Sequence, residues 1–205
     1  MTSLTNTFSS SSDDDELPSQ VYRLPNNDDL VPWDSQAQLM TAVENENLPG
    51  IQSLIDIYVD VNGTTGDWDR TALMGAASFG HSNIIQLLIN TGADVDMQDR
   101  MGQTALMNAA ANYYLDPIKV LMNSGADLEL TDNNGQTALM IAVMNGNFSI
   151  VESLINRGAD VNFPNMDGYT PFMIAANNDD RDILQLLMDN DASTYIEKRI
   201  YVGSP

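Results

Sequence analysis

The feature that most constrains the fold is an internal repeat of 33 residues. One tetrapeptide, Thr-Ala-Leu-Met or Thr-Pro-Phe-Met, recurs in a constant register, beginning at Thr71, Thr104, Thr137 and Thr170. A second motif, Gly-Ala-Asp followed by Val or Leu, recurs with the same step, beginning at Gly92, Gly125 and Gly158. A unit of this size cannot bury its own apolar face, so stacking several units is needed to make a continuous core.

Each unit predicts two short helices and a loop. The Thr is a suitable N-cap, and the Ala-Leu-Met that follows continues a helix with residues small enough for a neighbouring helix to approach. A turn such as Gly80-His81 comes next, and a second helix carries apolar residues at Ile84, Ile85 and Leu88. Gly92 falls where a helix C-cap requires a left-handed backbone, and a polar loop then leads to the next Thr.

These motifs resemble the Thr-Pro-Leu-His-x-Ala-Ala and Gly-Ala-Asp-Val-Asn signatures of ankyrin repeats. The resemblance covers residues 35–198 and implies an all-α solenoid of about five stacked helix-turn-helix repeats, with the first and last acting as caps. The first repeat is degenerate. It runs from Leu39 to Asn62, and Tyr58 stands where the second to fourth repeats have glycine.

The repeats depart from the family pattern in ways that bear on the loops. Met replaces the family's His in each of the four regular copies, at Met74, Met107, Met140 and Met173. This exchange predicts a flexible apolar filler in place of a polar link. The variant resembles bacterial or viral ankyrin repeats more than metazoan ones. In the third repeat Tyr113-Tyr114 replaces the Gly-His turn, and these rings are expected to fill that turn.

The segments outside the repeats differ in composition. Residues 1–34 contain a serine run, Ser9 to Ser12, followed directly by the acidic run Asp13 to Glu16. Such a segment buries too little apolar surface to offset its ordering entropy, so this tail is expected to be largely disordered. It is either a solubilising tail or a binding or secretion signal. Residues 199–205 form a C-terminal tail.

Composition excludes several classes of function. The chain has 29 Asp and Glu against 8 Lys and Arg, a net charge of −21, which would repel a nucleic-acid backbone or an anionic membrane. With no Cys and one His, disulfides, thiolate zinc sites and multi-histidine metal sites are excluded. No apolar run is long enough to span a bilayer, and the N-terminus lacks the pattern of a signal peptide. We therefore expect a cytoplasmic protein.

We find no active site in the sequence. His81 occupies a common turn position of the family, where it is usually structural. Asp132-Asn133-Asn134-Gly135 faintly resembles the start of a calcium loop, but position 143 is Val143 instead of the closing acid, so a turn is the better interpretation. We expect that the protein is not an enzyme and that it needs no cofactor and no metal.

The resemblance implies a binding surface made of loop tips and first helices. Carrying the family's variable positions across gives one candidate set: Trp68, Arg70, Phe79, Arg100, Met101, Gln103, Asn112, Asn133, Asn134, Gln136, Met144, Asn145, Met166, Tyr169 and Asn177. Large apolar groups among amides are typical of protein interfaces. The alternative is that adjacent repeats cover some of these side chains.

The leading functional prediction is a non-catalytic module that binds a protein partner through this surface. The excess of acid predicts a basic patch on that partner and no direct contact with nucleic acid or membrane. We also expect the chain to be a monomer. The alternative is an acidic inhibitor, such as an immunity or anti-defence protein, that blocks a basic nucleic-acid-binding enzyme by mimicking phosphate.

Overall fold

The computed structural model describes residues 21–23, 30–32 and 35–193. Strand β1 (Val21–Arg23) pairs with strand β2 (Leu30–Pro32) in an antiparallel hairpin, with Tyr22 opposite Val31. The sequence predicted a largely disordered tail over residues 1–34, so these two strands were not expected. The rest of that tail, residues 1–20, 24–29 and 33–34, and the C-terminal tail, 199–205, lie outside the described residues.

Five helix pairs make up residues 35–193, as the repeat count predicts. The first pair is α1 (Ser35–Glu44) and α2 (Leu48–Asp56). A small hairpin of β3 (Thr64–Thr65) and β4 (Arg70–Thr71) leads to the second pair, α3 (Ala72–Phe79) and α4 (Ser82–Asn90). The other pairs are α5 (Ala105–Ala111) with α6 (Leu115–Asn123), α7 (Ala138–Met144) with α8 (Phe148–Asn156), and α9 (Pro171–Asn177) with α10 (Arg181–Asp189). Within the described ranges, no helix is both long and apolar enough to cross a membrane.

The repeated Thr residues cap the first helices, as predicted. The Oγ1 atom of each accepts a hydrogen bond from the backbone N–H three residues later, at 3.2–3.4 Å, for Thr71, Thr104, Thr137 and Thr170. These bonds satisfy one of the N–H groups that a helix start leaves without a partner.

Met74 makes a polar contact, although its exchange for the family's His was expected to leave only an apolar filler. Its Sδ atom lies 3.5 Å from the backbone nitrogen of Thr71, which donates to it, so the two residues cap each other. A thioether is a weak acceptor, and here it serves as one as well as filling space.

The helices form two layers. Each first helix contacts the first helix of the next repeat, and α4, α6, α8 and α10 form the second layer. Small residues allow the first helices to approach closely: a Cβ on Gly75 would lie 2.5 Å from the Sδ atom of Met40. The core lies between the layers and is filled by residues at the repeat spacing, including Leu88, Leu121, Leu154 and Leu187, each 0% exposed.

Backbone hydrogen bonds join the loops of neighbouring repeats. Gly135 shows why a glycine is needed there: its φ is +75°, and a Cβ would lie 2.7 Å from the backbone nitrogen of Met166. In the second repeat Asp69 takes the equivalent position with φ 53°. Tyr58 and Asp191 likewise adopt φ of 64° and 63° at the helix end where the second to fourth repeats have glycine.

Asparagine side chains tie the repeats together on the loops that follow the second helices. The amide of Asn62 donates to the carbonyl of Gly92 at 3.1 Å and accepts from the N–H of Asp94 at 2.8 Å. Asn162 makes the same pair of bonds to Asp191 and Ser193 in the last repeat. These bonds extend the stack to its C-terminal end.

Candidate functional site: the loop-and-first-helix face

The predicted binding residues lie on one surface, which we call the loop-and-first-helix face. It consists of the loop residues 67–70, 100–103, 133–136 and 166–169 and the ends of the first helices, 78–79, 111–112, 144–145 and 177–178. Both sets recur every 33 residues, so each repeat adds equivalent positions to the same side of the stack. Most of these positions carry different side chains from repeat to repeat, although Gln103 and Gln136, and Asn112, Asn145 and Asn178, are the same.

All six large apolar candidates on this face are exposed, so adjacent repeats do not cover them. Their exposed fractions range from 43% to 68%, for Trp68, Phe79, Met101, Met144, Met166 and Tyr169. Of the polar candidates, five are exposed: Arg100, Asn112, Asn133, Asn134 and Asn177. The other four are half-buried: Arg70, Gln103, Gln136 and Asn145.

The apolar side chains form two groups along the array. Trp68, Phe79 and Met101 belong to the second and third repeats. Met144, Met166 and Tyr169 belong to the fourth and fifth. Between them in repeat order lie mostly amide side chains: Asn112, Asn133, Asn134 and Gln136. Two apolar areas separated by hydrogen-bonding groups favour a partner that contacts several repeats.

Several of the amides also hold the face together. Asn133 Nδ2 donates to the carbonyl of Arg100 at 2.8 Å, and Asn145 Nδ2 donates to the carbonyl of Ala111 at 3.3 Å. Both bonds cross between repeats. The neighbouring repeat therefore holds these side chains in place. This lowers the conformational entropy that the face would lose when a partner binds.

The two arginines of the face have different surroundings. Arg100 Nε lies 2.6 Å from Asp69 Oδ2 in an exposed ion pair. Arg70 is half-buried, and its Nη2 atom donates to three neutral oxygens: Ser78 Oγ at 2.5 Å, Asn108 Oδ1 at 3.1 Å and the carbonyl of Met74 at 3.4 Å. In the described part of the chain no carboxylate lies within 4.0 Å of Arg70.

Among residues 35–193, most of the acidic side chains lie away from this face. On its loop and helix-end positions, exposed acids are limited to Asp67 and Asp167, beside the paired Asp69. The second helices and the loops after them carry many more acids: Asp56, Asp60, Asp94, Asp96, Asp116, Asp127, Glu129, Glu152, Asp160, Asp182, Asp189 and Asp191. The loop-and-first-helix face is thus close to neutral within a strongly acidic protein.

Two features of the third repeat were not assigned to this surface from sequence. Asn108 is buried on α5, where the other regular repeats have Gly75, Ile141 and Ile174. A polar residue at a position that is otherwise Gly or Ile is the sequence signal that could have identified Asn108. The rings of Tyr113 and Tyr114 were expected to fill their turn; both are exposed, at 57% and 38%, and they contact neighbouring repeats instead. The Tyr113 hydroxyl is 3.3 Å from the carbonyl of Asn145, and a Cβ on Gly80 would lie 2.7 Å from the Tyr114 ring.

Turn geometry accounts for Asp132, the first residue of the segment that resembles a calcium loop. Asp132 is buried, and its Oδ1 atom accepts the N–H groups of Asn134 and Gln136, both at 2.8 Å. Across the described ranges, no group of three or more His, Cys, Asp or Glu residues is placed to hold a metal. The ring of His81 stacks on Phe79 with centroids 6.0 Å apart.

Comparison with known proteins agrees with this architecture. A family model described as ankyrin repeats (3 copies) matches residues 39–132 and 107–198. The chain belongs to the ankyrin-repeat family. Ankyrin repeats are generally protein–protein interaction modules, so this ankyrin-repeat protein carries a fold that is used to bind proteins.

The relatives of this ankyrin-repeat protein share only part of their length with it. It is 36% identical over 78 residues to ankyrin repeat and SAM domain-containing protein 6 of Rattus norvegicus, covering 38% of this chain and 9% of the relative. It is 39% identical over 69 residues to serine/threonine-protein kinase 12 of Arabidopsis thaliana, covering 34% of this chain and 15% of the relative. These relatives come from a mammal and a plant, and the bacterial or viral type stays a prediction.

Proposed function

We propose that this ankyrin-repeat protein is a monomeric, non-catalytic module that binds one protein partner through the loop-and-first-helix face. The observation that carries the proposal is the exposure of six large apolar side chains on this face, among them Trp68 at 56% and Met166 at 68%. Exposed apolar groups of this size mark interaction sites when they share one surface and are surrounded by polar groups.

The proposed binding mode uses the two apolar groups as anchors. Trp68, Phe79 and Met101 contact one part of the partner, and Met144, Met166 and Tyr169 contact another. The amides between them supply hydrogen bonds that fix the register of the partner along the array. A partner that spans the second to fifth repeats satisfies both groups at once.

The acids outside the face influence the approach of the partner more than the contact itself. A strongly negative surround attracts a protein with an overall basic surface and raises the association rate at low salt. We therefore propose a partner with net positive charge, whose association slows as salt increases. The cytoplasmic location stays a prediction.

The test is photo-crosslinking in an extract of the native host. The full-length protein carries a photo-crosslinking residue in place of Met166 on the proposed face or, as the control, in place of Gln185, which is exposed on α10. The expected result is one protein crosslinked from position 166 and absent from position 185. Crosslinks to that protein from position 185 alone would place the interface on the second helices and contradict the proposal.

The second candidate is an acidic inhibitor of a basic nucleic-acid-binding enzyme. The observation that favours it is a series of exposed carboxylates at repeat spacing on the loops after the second helices: Asp60, Asp94, Asp127 and Asp160. Each of them also accepts the N–H of the residue two positions later, at 2.8–3.0 Å, so a structural role accounts for them too.

The inhibitor candidate is tested by adding the full-length protein to a basic nuclease. Changing Asp94, Asp127 and Asp160 to Asn keeps the oxygen that accepts each N–H and removes three charges. If mimicry operates, this variant inhibits much less than the wild-type protein. Equal inhibition, or no inhibition by the wild-type protein, contradicts mimicry.

A further inference from the structure

The side chains around Arg70 depart from the repeat at three positions. Arg70 lies where the next repeats have Gln103, Gln136 and Tyr169. Ser78 lies where they have Ala111, Met144 and Asn177. Asn108 is 8% exposed in a position that the other regular repeats fill with Gly or Ile. A buried amide in a position suited to an apolar side chain disfavours folding unless it is hydrogen-bonded.

These three departures meet in one cluster. Ser78 Oγ lies 2.5 Å from Arg70 Nη2 and 3.0 Å from Asn108 Oδ1, and that same Oδ1 accepts from Arg70 at 3.1 Å. Asn108 is itself held by its Nδ2 atom, which donates to the carbonyl of Thr104 at 2.8 Å. Arg70 is thus fixed by side chains from α3 and α5, across the boundary between two repeats.

The cluster uses only one nitrogen of the guanidinium. All three hydrogen bonds of Arg70 run from Nη2, and in the described part of the chain Nε and Nη1 have no acceptor. A guanidinium carries five N–H donors and is always charged, so three donors and a full positive charge remain available. The cluster orients this charge but does not neutralise it, because all of its acceptors are neutral.

The surroundings of Arg70 define what could bind there. Trp68, Phe79 and Met101, the first apolar group of the face, belong to the same two repeats and are 43–56% exposed. Charged hydrogen bonds to a carboxylate are stronger and shorter than neutral ones, and a half-buried guanidinium is less screened than an exposed one. The local complement of this site is a carboxylate beside a large apolar side chain.

We infer that Arg70 is a specificity-determining residue that receives an Asp or Glu side chain of the protein partner, while Trp68, Phe79 and Met101 contact an apolar neighbour of that acid. This inference rests on the proposed function and adds a local requirement to it. The partner is basic overall, and it carries an acid at the point of contact with the second and third repeats. Ser78 and Asn108 are positioning residues for Arg70.

The probe is a phage-displayed library of random 12-residue peptides, selected against the full-length protein. The expected result is enrichment of peptides that carry Asp or Glu next to an aromatic or large aliphatic residue and that lose affinity when Trp68 is changed to Ala. A selection that yields no acid-dependent binder to this face overturns the inference.

A double-mutant cycle then assigns the acid to Arg70. With the wild-type protein, changing the acid of the peptide to its amide is expected to weaken binding at least tenfold. With Arg70→Gln, the acid and amide peptides are expected to bind equally well. Arg157→Gln is the matched control, because Arg157 is exposed at the end of α8 and its loss changes the net charge by the same amount. This control is expected to keep the full tenfold difference.

The cycle separates recognition from folding. Arg70→Lys keeps the charge but not the shape of the guanidinium, so it provides a second test if Arg70→Gln fails to fold. This variant is expected to reduce the difference in affinity between the acid and amide peptides. An unchanged difference in a folded Arg70 variant overturns the inference. If the selected peptides then still need Trp68 for binding, the proposed binding face stands and only the role of Arg70 fails. If the peptides bind the second helices instead, the proposed function and the role of Arg70 both fail.

The acidic run of the chain itself is the competing occupant. Changing Asp13, Asp14 and Asp15 to Asn and Glu16 to Gln in the full-length protein is expected to leave the affinity for the acidic peptide unchanged, apart from a small effect of net charge. A tenfold gain in affinity that disappears with Arg70→Gln would show that this run occupies Arg70, which contradicts a partner acid as its ligand.

Discussion

The carbonyl oxygen of Met101 accepts a hydrogen bond from the backbone N–H of Asn133 at 2.9 Å, which joins the loops of the third and fourth repeats. Equivalent bonds connect Trp68 to Arg100 at 3.0 Å and Asn134 to Met166 at 3.1 Å. The exposed side chains of the loop-and-first-helix face therefore extend from a hydrogen-bonded series of loops. Such a surface is ordered before a partner arrives, which favours affinity.

The glycines of these loops give the first prediction. Gly135 and Gly168 both have positive φ, but only Gly135 has the next loop against it, with 2.7 Å between a Cβ and the Met166 nitrogen. Gly168→Ala is expected to cost about 1–2 kcal/mol of unfolding free energy from the backbone conformation alone. Gly135→Ala is expected to cost at least about 1 kcal/mol more, because the loops must move apart. Urea unfolding of both variants measures the difference, and equal losses would contradict the loop contact.

The second prediction concerns the core at the repeat spacing. Leu121 on α6 is 0% exposed, and Leu121→Ala is expected to lower the free energy of unfolding by about 2–5 kcal/mol. Lys119→Ala on the same helix is the control, since Lys119 is exposed, and its effect is expected within about 0.5 kcal/mol. Thermal unfolding of both variants is the measurement. An unchanged midpoint for Leu121→Ala would mean that the repeat register is wrong.

Asp132 gives the third prediction, because its buried carboxylate accepts two backbone N–H groups. Asp132→Ala leaves both donors without an acceptor and is expected to cost about 1–3 kcal/mol. Asp132→Asn is expected to cost much less, since Asn165 accepts the same two bonds one repeat later, at 3.0 and 2.8 Å.

Unfolding measured with and without calcium completes the test of Asp132. The turn interpretation predicts that millimolar calcium leaves the midpoint of the wild-type protein unchanged. A calcium-dependent rise that Asp132→Asn abolishes would contradict this interpretation and indicate a metal site.

The repeat made much of this fold predictable. The local signals are a Thr at the start of the first helix, an apolar second helix and, in most repeats, a glycine at its end. These signals recur in register along the four copies, so each copy supports the prediction made from the others. The same register carried the candidate site, because equivalent positions in neighbouring repeats have similar surroundings. Trp68 and Tyr169, for example, are candidates from the register alone, and both are exposed, at 56% and 46%.

The rest depends on contacts between repeats that no single copy specifies. The hydrogen bond between Arg70 and Asn108 joins residues 38 positions apart, and neither residue type repeats at its position. The hydrogen bond from the N–H of Thr71 to the sulfur of Met74 was not predicted for a different reason. A thioether is ordinarily apolar, so only its distance from the N–H group shows this role.

The most direct test of the binding face is the dissociation constant of the crosslinked partner, measured by calorimetry against two matched double variants. One replaces Trp68 and Tyr169 with Ala on the proposed face. The other replaces Phe148 and Met188, which are 41% and 42% exposed on the second helices, with Ala. All four side chains are exposed, so both variants are expected to keep the stability of the wild-type protein. We predict that the Trp68 and Tyr169 variant binds at least a hundredfold more weakly, about 2.8 kcal/mol, while the Phe148 and Met188 variant binds as the wild-type protein does. Loss of binding in the second variant with the first unaffected would contradict the assignment.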